Sequence, residues 1–228
     1  MSNDAEAPLP QAFLIDLDGT LVDHYRAICR CYQMVCEELG APIPTLEEVK
    51  RGVGGSTPVT ARKFFPADRL EEGIALWRER FETFYLDDVE LMPGARELLD
   101  AIRRRGGKAA VFTNKIGRHA RGLCDALGLT PLLEFALGAE DTPHRKPQRA
   151  FSLLALQRIG AAPEKAAMIG DSPFDIEAAK AVGMASWIAP TGAHSAAELR
   201  AAGADRLFPD LNAIARFLDG GKALAQEE

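Results

Sequence analysis

The stretch FLIDLDGTLVD, Phe13 to Asp23, decides how the rest of the chain is read. Phe13, Leu14 and Ile15 form a short apolar run typical of a buried strand, and Gly19 supplies the turn that ends it. Side chains alternate along a strand, so Asp16 and Asp18 are expected on one side of it. Two carboxylates held roughly 7 Å apart by that spacing repel each other unless something positive lies beside them. A solvated strand end would account for an isolated pair. The remainder of the chain has to decide between that and a site.

The 228 residues are enough to bury one large core or two modest ones, and 47% hydrophobic with 26% charged residues is the balance of a globular protein. A formal net charge of −6 argues against a nucleic-acid partner, which would demand a basic face. No apolar run approaches the ~20 residues that span a bilayer, so no membrane segment is expected. MSNDAEAPLPQ lacks the basic and apolar parts of a signal peptide and reads as a disordered lead-in; the tail KALAQEE is expected to fray. A cytoplasmic protein is the expectation. Cys29, Cys31, Cys36 and Cys124 lack zinc-knuckle spacing and read as buried packing residues.

A helical pattern runs from Tyr25 to Leu39 and stops at Gly40. Residues 45–87 look helical throughout, with Leu70, Ile74, Trp77, Phe81, Phe84 and Tyr85 on one stripe. From Met92 onward strands and helices alternate. Strands are expected at Lys108–Thr113, Phe135–Gly138, Ala166–Gly170, Ala185–Ala189 and Arg206–Phe208. Such alternation predicts an α/β fold, a Rossmann-like parallel sheet covered by helices on both faces, with residues 22–91 inserted as an all-helical unit. The core is then residues 1–21 and 92–228.

Ligands of such sheets bind beyond the carboxyl ends of the strands. Those ends carry Asp16 and Asp18, then Thr113 and Asn114, then Asp171 with Asp175 close by, and the loop HRKP offers Lys146. Each has an ordinary explanation: Thr113 or Asn114 could cap a helix, Ser172-Pro173-Phe174-Asp175 reads as a capping box, and Lys146 could be a solvated loop lysine. Their convergence on one sheet edge is the informative fact. Several carboxylates beside one lysine suit a hard cation with oxygen ligands, Mg²⁺. A carboxylate beside such an ion can attack a phosphoryl group, with Thr113 and Asn114 as donors to its oxygens, Lys146 as charge, and Asp18 as acid and base.

DLDGT, the TN pair, the loop Lys146 and GDSPFD, in this order and spacing, resemble the four motifs of the haloacid dehalogenase superfamily. The resemblance covers the chain after residue 11, including the helical insertion, which corresponds to the first type of cap in that family. It implies Asp16 as nucleophile, Asp18 as acid/base, and Thr113 and Lys146 on the phosphoryl group. It also implies Mg²⁺ on Asp16, the Asp18 carbonyl and Asp171, with Asp175 close by, and a hinge at Leu21–His24 that closes the cap. Within the superfamily DLDGTLVD, TNK and RKP are most similar to phosphoglycolate phosphatases. His24 stands where that group usually has serine or threonine, and the proline and acid often found after the lysine motif are replaced by Gln-Arg-Ala.

The implied activity is Mg²⁺-dependent hydrolysis of small phosphate monoesters through an aspartyl-phosphate, phosphoglycolate first. A β-phosphoglucomutase-like mutase, a pyrophosphatase and a phosphonoacetaldehyde hydrolase share the chemistry; the last would need a cap lysine, Lys50 or Lys63. A receiver-like phospho-acceptor is the non-enzymatic alternative, though the insertion and Asp18 have no use there, and an inactive binding protein is another. The candidate substrate residues are Gly19, His24, Arg51, Gly54 and Gly55, the last three from KRGVGGST between cap helices, where Arg51 would read a carboxylate. His119 and His194 read as surface residues, and His144 adjoins the lysine loop, with contact to the phosphate site as the lesser alternative.

Overall fold

The computed structural model describes residues 8–220; the expected lead-in and fraying tail lie largely outside that range. The core sheet has six parallel strands, β1 (Ala12–Ile15), β4 (Lys108–Ile116), β5 (Ala136–Ala139), β6 (Ala166–Gly170), β7 (Ala185–Ile188) and β8 (Arg206–Leu207), in the order β5-β4-β1-β6-β7-β8. β1 is the centre: the chain steps outward from it through β4 and β5, then crosses to β6 and continues the other way. The carboxyl ends of β1, β4 and β6 therefore meet where the winding reverses, and open a crevice there.

The strand residues show why both faces are covered. All four residues of β1 are buried. Phe13 and Ile15 pack on one face with residues of α5 (Ala95–Arg104), α6 (Gly117–Ala126) and α10 (Leu211–Leu218), while Ala12 and Leu14 face α7 (Arg149–Ile159) and α8 (Pro173–Lys180). A strand sandwiched this way has no room for polar alternation, hence the continuous apolar runs. The short α9 (Ala196–Ala201) lies between β7 and β8 in sequence.

Between β1 and α5 stand four helices, α1 (Tyr25–Leu39), α2 (Leu46–Gly52), α3 (Thr57–Phe64) and α4 (Leu70–Glu82). They share an apolar cluster in which Tyr32, Trp77 and Phe81 are central; Trp77 stacks on Phe81 with ring centroids 4.5 Å apart. α1 stops at Gly40, whose φ of 67° few other residues accept, and α2 starts with a Thr45–Glu48 capping box. The region expected to be helical throughout is broken at Val53–Ser56 and after Phe64, and α4 ends before Phe84 and Tyr85. All four cysteines are free and buried, as expected of packing residues.

Where the chain leaves the sheet and returns to it, β2 (Val22–Asp23) pairs antiparallel with β3 (Glu90–Leu91), and Met92 N–H donates to the Leu21 carbonyl at 2.9 Å. Both crossings to the helical unit thus run side by side. No hydrophobic pattern of two residues could announce this ribbon. No helix among the described residues is long and apolar enough to cross a membrane.

Candidate active site

β1 ends at Ile15, and the chain folds at once into a tight turn in which the N–H groups of Thr20, Leu21 and Val22 all donate to the Leu17 carbonyl. Asp18 therefore lies in the turn rather than on the strand, both acids line the crevice, and each meets its own lysine. The Asp16 carboxylate meets Lys146 Nζ at 3.0 Å; the Asp18 carboxylate meets Lys115 Nζ at 3.1 Å from both oxygens. The repulsion implicit in the DxD spacing is thus answered by one lysine for each acid.

Gly19 has a φ of 84°, and a Cβ there would lie 2.7 Å from Asp171 Oδ2. Glycine lets the turn close against Asp171, on the side of the acids rather than over a substrate. Asp16, Asp171 and Asp175 are all buried and can each bring an oxygen within 4.8 Å of the others. Lys146, with a fully buried side chain, stands among them, 2.7 Å from Asp175 Oδ1. Asp175 also accepts from the Ser172 N–H and hydroxyl and from the Asp171 N–H, so it is both the cap of α8 and the partner of the lysine. Thr20 donates to Asp171 at 2.7 Å.

One ammonium does not satisfy three buried carboxylates. Burial pushes Asp16 up to about 6, Lys146 opposing and Asp175 adding to the rise. Burial, then the charges of Asp175 and Asp16, lift Asp171 well above the carboxylate range. Burial works against the charge on Lys146, but Asp16 and Asp175 outweigh it and raise its pKa. Asp18 is the opposite case: burial would raise it, yet the Lys115 ammonium brings it down to about 2. A divalent cation fits the cluster, since it would supply the positive charge that Asp16 and Asp171 lack.

Asn114 takes a different part from the one expected. Its side-chain N–H groups donate to the carbonyls of Gly54 (2.9 Å) and Lys146 (3.2 Å), and its oxygen accepts from the Lys146 N–H (2.9 Å). The amide is occupied in fixing the lysine loop and the Gly54 loop, so its N–H groups are engaged by protein carbonyls. Thr113 is buried and lines the crevice; its hydroxyl accepts from the Lys115 N–H.

The crevice continues as a chamber between the sheet edge and the helices. Asp16, Asp18, Thr113, Asn114 and Lys115 form its floor, Gly54 and Gly55 one side, and Ile28, Tyr32 and Trp77 the roof. Gly54, at φ 116°, rests on the Phe174 ring, where a Cβ would stand 3.2 Å from Cδ2. Arg51 is not among the lining residues: it is exposed and pairs with Glu198 at 3.0 Å and Glu47 at 3.9 Å. The turn after α2 carries Gly54 inward and leaves the last turn of the helix, with Arg51, outside. His24 is buried beneath the floor against Lys115 (3.1 Å) rather than in the chamber.

Of the three further histidines, His119 departs from the reading of the sequence. His119 is buried, stacks on Tyr85 at 4.5 Å, donates through Nε2 to Glu82 at 2.7 Å, and lines the chamber. His194 lines a small cleft with Tyr25, Asp171 and Ser172 that reaches Asp16 from the other side. His144 lies in a separate cleft with Arg78 and Glu140, away from Asp16. Lys115 is the residue that sequence reasoning passed over; its signal was its place two residues past Thr113 on a strand that outlasts the expected end.

The model of the family described as haloacid dehalogenase-like hydrolase matches residues 13–189, from β1 to the end of β7. The chain belongs to this family. A phosphoglycolate phosphatase of Pseudomonas syringae pv. syringae is 33% identical to this hydrolase over 185 residues, covering 78% of this chain and 68% of that protein. One from Nitrosococcus oceani is 29% identical over 217 residues, covering 92% and 96%. Among solved structures, CbbY from Rhodobacter sphaeroides in complex with phosphate is 25% identical with a TM-score of 0.73, over 90% of this chain and 96% of its own. A haloacid dehalogenase-like family hydrolase of Streptococcus pneumoniae, 22% identical with a TM-score of 0.83 over 92% and 98%, shares the fold.

Proposed function

We propose that this hydrolase is a Mg²⁺-dependent phosphatase of small phosphate monoesters that works through a phosphoaspartate on Asp16. The observation that carries this is the pairing at one sheet edge of a buried carboxylate nucleophile, Asp16, with Lys146, beside a second acid, Asp18, that has its own lysine. Phosphoglycolate is the first ester to test, because relatives about 30% identical carry its name.

Asp16 attacks phosphorus and takes the phosphoryl group while the ester oxygen leaves. Lys146, held by Asp175, places its charge beside the transferred group, and the Thr113 hydroxyl at the floor is available to a phosphoryl oxygen. Asp18 protonates the leaving oxygen and later takes a proton from the water that hydrolyses the phosphoaspartate. The first transfer takes place from the protonated form of Asp18, which the Lys115 contact disfavours, and it leaves the ionised form, which the same contact favours and which then deprotonates water. The residues that would hold Mg²⁺ are Asp16 and Asp171, with the Asp18 carbonyl implied by the family resemblance and Asp175 supporting through Lys146 and the Asp171 N–H. The ion supplies charge neutralisation for the attacking carboxylate and the phosphoryl oxygens. Residues 22–91 serve as a cap hinged at the β2–β3 ribbon, excluding water when closed.

The test is phosphate release from a panel of monoesters with Mg²⁺ and with EDTA; activity that survives EDTA, or is absent toward every ester, counts against the reading. The same site predicts a signature of its own in thermal melting. The raised pKa of Asp171 means that its ionised form is disfavoured by folding in metal-free protein, a penalty absent below the unfolded pKa and growing as pH rises. Asp171→Asn should therefore raise the metal-free Tm at pH 7 and abolish the Tm increase that Mg²⁺ gives the wild type. A lower metal-free Tm, or an undiminished Mg²⁺ shift, would contradict the assignment.

A further inference from the structure

We propose that Lys115 is the specificity residue of the chamber, reading a carboxylate on the leaving group, and that His24 holds its ammonium in place for that purpose. The proposal deepens the phosphatase reading above and rests on it.

Among the described residues that line the chamber, Lys115 alone carries a permanent positive charge. Lys146 belongs to the Asp16 cluster beneath, and Arg51, the cation that the sequence suggested for this task, is engaged outside by Glu198 and Glu47. The roof offers Ile28, Tyr32 and Trp77, none of which can neutralise an anion. An anionic leaving group in this chamber therefore has one permanent cation available, and it stands beside the group proposed to protonate the leaving oxygen.

The ammonium is built in. Lys115 has a side chain only 5% exposed, sits 3.1 Å from both Asp18 oxygens and 3.1 Å from His24 Nδ1, and lies 5.2 Å from the centre of the Phe81 ring. An ammonium can donate only, so His24 accepts through Nδ1 and its proton is on Nε2. Burial and the charge of Lys115 both keep the imidazole neutral, which that arrangement requires. Its three N–H groups face three acceptor atoms, the two Asp18 oxygens and His24 Nδ1, so a leaving-group carboxylate binds by taking the place of one Asp18 oxygen while the other contacts hold the ammonium. His24 is fully buried at the start of α1, and Phe81 belongs to α4, so the helical unit fixes a lysine that the sheet supplies.

Phosphoglycolate and ethyl phosphate present the same bond to be broken and differ in carrying a carboxylate or a methyl group at the far carbon. The wild type should show a kcat/KM ratio of phosphoglycolate to ethyl phosphate of about 10- to 100-fold, the value of a charge-assisted hydrogen bond. Lys115→Met should bring that ratio to within about 3-fold of unity; the ratio is the readout, because losing the contact to Asp18 slows both esters alike. His24→Phe, which keeps a ring and removes the acceptor, should lower the ratio part of the way, and Arg51→Ala should leave it unchanged. If Lys115→Met melts far below the wild type, competitive inhibition of the unaltered protein decides: 3-phosphonopropionate must inhibit at least about 10-fold more tightly than propylphosphonate. A wild type indifferent to the carboxylate, a Lys115→Met protein that keeps the ratio, or an Arg51→Ala protein that loses it overturns the proposal. If instead neither ester nor p-nitrophenyl phosphate is hydrolysed in an Asp16-dependent way, the phosphatase reading has failed and not the choice of Lys115 alone.

Discussion

Asp16→Asn is expected to lower kcat for every phosphate monoester by at least about 10⁴-fold, the scale of losing a covalent nucleophile, and to leave no phosphoenzyme. Asn keeps the shape and removes the negative charge that makes the oxygen a nucleophile. The loss should come without unfolding, because the ionised Asp16 is a strained guest in metal-free protein: burial has pushed it up to about 6. A carboxylate whose pKa is raised on folding favours the folded state fully below its unfolded value and loses that advantage as pH climbs through its folded value. Relative to Asp16→Asn, metal-free wild type should therefore lose Tm between pH 4 and pH 7. Asp18, brought down to about 2, contributes the reverse sign, and only in the acid range below its ordinary value. Steady-state phosphate release, acid-quench trapping with labelled ester and melting curves across pH measure all three. Retained turnover would mean that Asp16 is not the nucleophile.

Lys146→Met should have the second largest effect, on activity and stability together. The lysine is fully buried, 3.0 Å from Asp16 and 2.7 Å from Asp175, with the Phe112 ring beneath it. Removing it leaves three clustered carboxylates with no cation, a loss of about 3–5 kcal/mol if breaking a buried pair behaves as usual. Its raised pKa means that the stabilisation is present throughout the neutral range and fades only as pH rises through that high value. Denaturant unfolding without metal reads this directly. Mg²⁺ should restore more stability to Lys146→Met than to wild type, since it supplies the missing charge, while kcat stays about 10²–10³-fold down for want of the charge on the transferred group. A variant as stable as wild type in EDTA would show that the cluster does not need the lysine.

The parts of this site that were legible in the sequence share one property: local order fixes where they stand. Asp16, Thr113 and Asp171 follow apolar runs that can only be buried strands, and parallel strands bring their ends to one edge. Asp175 could be placed because Ser172 and Pro173 announce a helix start. What was not legible depended on contacts between distant segments. Which cation Asp18 meets depends on the turn at Leu17–Val22 and on Lys115 arriving from another strand. Arg51 and Gly54 are close in sequence, yet the helix end between them puts one outside and the other against Asn114. His119 sits on a helix with charged neighbours and reads as exposed; Tyr85 and Phe81, from the helical unit and its return path, bury it. The β2–β3 ribbon is two residues long on each side and has no pattern at all.

Asn114 spends one amide on two loops, and that economy links access to readiness. Raising the Gly54 segment far enough to admit an ester or free the products breaks a hydrogen bond to the same side chain that clasps the peptide of Lys146 on both sides. An open mouth and a slackened electrostatic clamp are then one event, so the attacking acid is fully armed only behind a shut door.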